Sequence, residues 1–146
     1  MPPVSDLQLL LRTMEPVLNP GEFVFATVPP LASFDISAAV AFVREPEGLS
    51  VVMAESEAKK AGLVPEFRCA WITLSVHSDL QAVGFTAAFA TALGRAGISC
   101  NVVAGTHHDH IFVPIELASA AMAELRSLQQ NAAATATTNE SAPEAL

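Results

Sequence analysis

A chain of 146 residues, 51% hydrophobic and 15% charged, has a globular composition with enough apolar material for a real core. Its formal charge of −8, with seven Lys and Arg scattered and no basic run longer than Lys59-Lys60, argues against nucleic acid and anionic membranes, which are bound by concentrated positive charge. No apolar run approaches the roughly 18 residues of a membrane helix, the start MPPVSDLQ lacks the basic and apolar regions of a secretory signal, and Cys69 and Cys100 sit in apolar strand patterns, as reduced thiols of a cytoplasmic protein would.

In chain order, the first predicted element is a helix over 6–15. Ser5-Asp6-Leu7-Gln8 reads as a capping box, Leu7, Leu10, Leu11 and Met14 recur at helical spacing, and Pro16 closes the helix. Asn19-Pro20-Gly21 turns the chain into an alternating strand over 22–28. An added segment, 29–47, contains a strand over 39–44, and a further strand over 49–54 leads into a helix near 55–62.

The second half repeats the plan. Residues 71–76 alternate as a strand with Ile72, Leu74 and Val76 on one face. Ser78-Asp79-Leu80-Gln81 then duplicates the first tetrapeptide and predicts a capped helix over 79–95, with Phe85, Ala88, Phe89, Ala92 and Leu93 as its apolar stripe. Gly97 supplies a left-handed cap at which Leu93 meets Ile98. A strand over 98–104, a loop with His107 and His108, a strand over 110–113 and a helix over 115–128 follow; from Gln129 the chain is small and polar, which predicts disorder. The fold expected is α+β: two antiparallel sandwich units, 1–64 and 68–128, packed as one cooperative body, with the tail 129–146 outside. The core of the second unit should combine Leu74, Val76, Phe85, Phe89, Leu93, Ile98 and Phe112.

Two groups of residues invite chemistry. In a strand His108 and His110 share a face and could bind a metal ion with His77 as third ligand, although no HExxH or paired CxxC spacing accompanies them. The turn Arg44-Glu45-Pro46-Glu47-Gly48 is a charged hairpin whose Arg44, at a strand end, could fork onto a carboxylate. Asn101 in an apolar strand needs a hydrogen-bond partner if buried. Ser99, Cys100 and Cys69 lack the strained turn of a nucleophile, and no glycine-rich phosphate loop is present, so the sequence does not read as an enzyme and implies no cofactor.

Ser78, Leu80, Ala82-Val83-Gly84, Thr86-Ala87-Ala88, Leu93, Gly97-Ile98-Ser99 and Asn101 resemble the first strand, loop and helix of ACT domains, above all those of aspartate kinases and of CASTOR-type tandem-ACT arginine sensors. The segments LNPGEFVFATV and FVREPEGLSVVM, with His108-Asp109-His110-Ile111-Phe112-Val113-Pro114, resemble a family of small bacterial two-ACT proteins. The resemblance spans about residues 5–128. It implies ferredoxin-like units of βαββαβ order, helices on one face of each sheet, and an amino-acid effector at the seam between units. That seam would be bordered by Ser78, Asp79, Val83, Gly84 and Asn101, the effector's carboxylate on the helix-start amides and its ammonium by Asp79. The chain departs from the pattern in having no strand before Ser5 and none after Leu128, so a rearranged or exchanged strand is expected. The function implied is a cytoplasmic regulatory protein that binds a small-molecule effector, forms a homodimer and signals to an unidentified protein partner, since no output domain is apparent. The alternatives are a metal-binding protein or metal-dependent enzyme using His107–His110, and a ligand-free oligomerisation module.

Overall fold

The computed structural model describes residues 2–140. Its helices are α1 (Leu7–Thr13), α2 (Glu55–Lys60), α3 (Phe85–Arg95) and α4 (Ala118–Glu140). Its strands are β1 (Pro16–Leu18), β2 (Phe23–Val28), β3 (Ala39–Glu45), β4 (Gly48–Ala54), β5 (Phe67–Leu74), β6 (Asn101–Ala104) and β7 (Asp109–Pro114). All the strands join one antiparallel sheet in the order β3-β4-β2-β5-β7-β6, with β1 beside the second half of β5.

The expected strand exchange takes a definite form. In a βαββαβ unit the first strand lies between the third and the fourth. β2 has those neighbours in the N-terminal unit, with β5 in the fourth place; β5 has them in the C-terminal unit, where β7 flanks it on one side and β1–β2 on the other. One strand therefore closes the first sheet and opens the second. β5 is long enough for this because Phe67, Arg68 and Cys69 pair with Phe25, Val24 and Phe23, while Ile72, Thr73 and Leu74 pair with Leu18, Val17 and Pro16.

Side chains alternate across the sheet, and the register assigns the faces. Val24 is opposite Arg68, which places Val24, Ala26 and Val28 on the same face as Ala70, Ile72 and Leu74. The first set packs with Ala58 of α2 and the second with α1, α3 and α4, so all four helices share one face. Leu74, Phe85, Phe89, Leu93 and Ile98 are buried together there as expected, with Val76 partly buried against them. Phe112 is also fully buried, but on the opposite face, beside Phe23, Val52 and Cys69. The period of two explains the difference: Phe112 is opposite Trp71, out of step with Ile72. Among the described residues no helix covers that face. The sheet instead curls so that Val103 of β6 and Ala41 and Val43 of β3 line one small cavity of ≈80 Å³. Aromatic rings fill the curl, Phe23 edge-on to Trp71 at 5.3 Å and Phe25 edge-on to Phe112 at 5.6 Å.

α1 precedes the N-terminal sheet in sequence yet belongs to the core of the C-terminal unit, where Leu10, Leu11 and Met14 are buried with Phe89 and Leu125. α4 holds it. Gln129 donates to the Arg12 carbonyl and to Glu15, both at 3.1 Å, and Leu128 and Ala132 pack on the same core. This docking carries α4 through to Glu140, so residues 129–140 are helical rather than disordered; the last six residues of the tail lie outside the described part of the chain.

The two identical tetrapeptides adopt different conformations. In the first, the helix cap is Asp6 rather than Ser5, its carboxylate accepting from the Leu9 amide at 2.8 Å. In the second, Asp79 accepts from the Gln81 amide at 2.8 Å in a local turn, and α3 starts only after Gly84. The N-terminal arm causes this delay: the Val4 amide donates to the His77 carbonyl and the Asp79 amide to the Val4 carbonyl, each at 2.8 Å, which holds Ser78 extended in a parallel bridge. At its other end α3 stops as predicted. Gly97 has a φ of +74°, the Ile98 amide bonds the Leu93 carbonyl at 3.0 Å and the Gly97 amide that of Gly94, the two bonds of a Schellman cap.

Candidate functional site

The loop from Ser78 to Gly84 joins β5 to α3 at the upper edge of the shared core. Ser78 is buried, and its hydroxyl donates to the Asp109 carboxylate at 3.0 Å. Asp109, itself buried, opens β7, so this bond ties the loop to the neighbouring strand. Asp79 is half-buried on the rim. Leu80 and Val83 turn outward, Val83 with 84% of its surface exposed, an unusual place for a valine. Gly84 adopts a φ of +95°, and a Cβ there would sit 3.2 Å from Leu7 of α1; glycine thus permits both the turn and the close approach of the N-terminal helix. Having no side chain, Gly84 leaves the amides of Phe85, Thr86 and Ala87 at the loop mouth without a cap of its own.

Ser78, Asp79, Val83 and Gly84 therefore surround one helix start, and Asn101 stands apart. It is paired with Phe112, whereas Ser78 bonds Asp109, three residues away along β7 or about 10 Å of strand. Asn101 is exposed rather than buried, and its side chain donates to the Phe112 carbonyl at 3.4 Å. Asp109 is the site residue that the sequence reading overlooked. The available signal was the one acid of β7, which when buried must find a donor.

The histidines separate into different environments. His77 and His107 have ring centroids 5.1 Å apart, and His108 Nδ1 lies 3.3 Å from the Val76 carbonyl, all near the loop. His110 is on the helix-free face, where its Nδ1 accepts from Trp71 Nε1 at 3.0 Å and lies 3.1 Å from Thr73 Oγ1. Asn19 completes this network, donating to Thr73 Oγ1 at 2.9 Å and to the Trp71 carbonyl at 3.2 Å. Among the described residues no three His, Cys, Asp or Glu side chains are placed to hold a metal ion. Both thiols are free; burial pushes Cys69 up to about 12 and Cys100 upward too, so neither is ionised at neutral pH.

Burial holds the His110 imidazole below its ordinary value of 6.5, the nearby His108 lowers it further, and Asp109 opposes both. The geometry agrees, because a protonated Nδ1 could not accept from Trp71. The folded protein thus holds fewer protons on His110 than the unfolded chain. Its contribution to stability is complete above about pH 6.5 and is lost as pH falls through that value toward the lower folded-state one. The melting temperature should fall between about pH 7.5 and about pH 5.5, and His110→Gln should flatten that slope. An unchanged slope in the variant would remove His110 as its source.

Residues 2–70 match one ACT-domain family model and residues 66–127 match another, the two overlapping on β5. A Vibrio cholerae protein of unknown function, described as a possible transport protein, is 48% identical, with 84% of this chain and 95% of that one covered and a TM-score of 0.74. The ligand-free regulatory subunit of Thermus thermophilus aspartate kinase has the same fold at 12% identity and a TM-score of 0.59, with 80% and 97% covered. An Agrobacterium tumefaciens protein does so at 17% identity and a TM-score of 0.55, with 75% and 84% covered. No curated protein matches. The chain belongs to the ACT-domain family and carries two ACT domains in tandem. No helix among the described residues is long and apolar enough to cross a membrane.

Proposed function

We propose that this protein is a cytoplasmic regulator, not an enzyme, that senses an amino acid at the start of α3. The observation that carries the reading is the junction at Gly84, where helix-start amides open onto a rim holding one carboxylate, Asp79, and two exposed apolar side chains, Leu80 and Val83. An amino acid has matching parts. Its carboxylate is drawn to helix-start amides and the positive end of the helix dipole, its ammonium to Asp79, and its side chain to the apolar rim. Membership of the ACT family supports a regulatory ligand-binding role. Exposed Leu80 and Val83 suit closure by a second copy of the chain, so that effector binding favours one dimer arrangement and a partner protein reads it.

Calorimetry with the twenty amino acids, on the wild type and on Asp79→Ala, tests the reading. One amino acid should bind the wild type saturably, and the variant should bind it at least about tenfold more weakly, a loss of about 1.4 kcal/mol. Stability should fall less, by about 1 kcal/mol or under, since the substitution removes only the turn bond to the Gln81 amide. Equal affinity of both proteins would remove Asp79 from the site. A divalent metal binding in place of any amino acid, and requiring His108 and His110, would replace this reading with a metal-binding one.

A further inference from the structure

A second cavity lies at the other edge of the sheet. Between its first two strands a βαββαβ unit carries a helix that covers the sheet. In the N-terminal unit that connection, 29–38, forms only the three-residue 3-10 turn Ile36–Ala38, started by Asp35 accepting from the Ser37 amide at 3.0 Å. So short a turn cannot cover the sheet, and a cavity of ≈320 Å³ remains beneath the connection. This is at the lower end of the roughly 300–1,000 Å³ typical of small-molecule sites. Val28, Pro30, Phe34, Ile36 and Leu49 give it apolar walls, and Arg44 and Glu45 stand at its rim.

Arg44 fixes the sign of a ligand. It is opposite Leu49 and so faces the cavity side of the sheet, and among the described residues it has no hydrogen bond or ion pair. Arg68, on the same sheet, shows the contrast: it is held by Glu22 at 2.8 Å and Glu55 at 2.9 Å. Glu45, next along the strand, turns to the other face of the sheet, where its carboxylate accepts from the Ser50 hydroxyl. Arg44 therefore offers the cavity a single positive charge, which suits a ligand with one carboxylate.

We infer that this cavity binds a small monocarboxylic acid with an aliphatic or aromatic tail, its carboxylate forked by Arg44 and its tail against Phe34, Ile36 and Leu49. Free acids and amino acids share this chemistry. The site is separate from the start of α3 and does not depend on the reading given above.

Calorimetry on the full chain with isovalerate, valine, isobutylamine and phenylacetate tests the inference. At least one of the three carboxylates should bind saturably, isobutylamine should not, and Arg44→Ala should weaken binding at least about tenfold, with Arg44→Lys in between. Arg44 is exposed, so the ligand-free melting temperature of Arg44→Ala should match the wild type, and Asp79→Ala should bind the carboxylate as the wild type does. Isobutylamine binding as well as isovalerate, carboxylate binding that survives Arg44→Ala, or no saturable heat with any carboxylate would overturn it. Binding lost in Asp79→Ala and kept in Arg44→Ala would overturn it too, and would favour the start of α3 instead.

Discussion

Replacing Phe89 with alanine should destabilise the protein by about 3–5 kcal/mol, the usual cost of deleting a buried aromatic ring. Phe89 is fully buried on α3, edge-on to Phe85 at 5.2 Å, among residues drawn from α1, β5, β7 and α4. No side chain nearby is positioned to fill the space, since the neighbours belong to helices fixed by their own caps and strands fixed by register. Against a typical total of about 5–15 kcal/mol, the loss would take a large part of the protein's stability. β5 serves both sheets and α1, from the first half of the chain, lies in the core of the second, so denaturant unfolding should remain a single transition that shifts as a whole. Thr86→Ala, one turn away and exposed, should change stability by about 0.5 kcal/mol or less. A measured loss below about 1 kcal/mol for Phe89→Ala would mean that the buried face of α3 is not the one described.

Much of this architecture could be read in advance because hydrophobic periodicity is local. The stripe Phe85, Phe89, Leu93 fixed the face of α3, and Leu93, Gly97 and Ile98 fixed its end, since a Schellman cap requires only neighbouring residues. The start of α3 was misplaced by six residues because the alternatives were decided by a distant segment. Ser78-Asp79-Leu80-Gln81 is competent to cap a helix, but the bridge from Val4 holds Ser78 extended, and nothing in the tetrapeptide reports that partner. Phe112 was assigned to the wrong face for a related reason: its burial is evident from its type, but its direction follows from pairing with Trp71 across strands far apart in sequence. The residues from Gln129 onward lack large side chains, and their helix is explained by the docking of Gln129 and Ala132 on α1. At the candidate site the loop residues were legible as a contiguous motif. The buried partner Asp109 and the displaced position of Asn101 depended on sheet register, which composition does not encode.

Cutting the chain after residue 64 should leave two fragments that do not fold separately and do fold when mixed. The reason is the placement of α1 and β5 rather than fragment size alone, although about 60 residues is already marginal for an independent domain. The first fragment would keep β1 to β4 and α2 but lose β5, leaving β2 open along one side and β1 without its partner, and its α1 would expose Leu10, Leu11 and Met14, all buried in the intact protein. The second would keep β5, α3, β6, β7 and α4 but leave β5 open along one side and strip α1 from the core around Phe89 and Leu125. Each fragment thus contains what the other lacks. Amide proton spectra should show little dispersion for either fragment alone, and an equimolar mixture should recover the spectrum of the intact chain as a one-to-one complex on size exclusion. A first fragment with a dispersed spectrum and a cooperative melt of its own would show that the N-terminal unit closes its sheet without β5, and the shared-strand description would then be wrong.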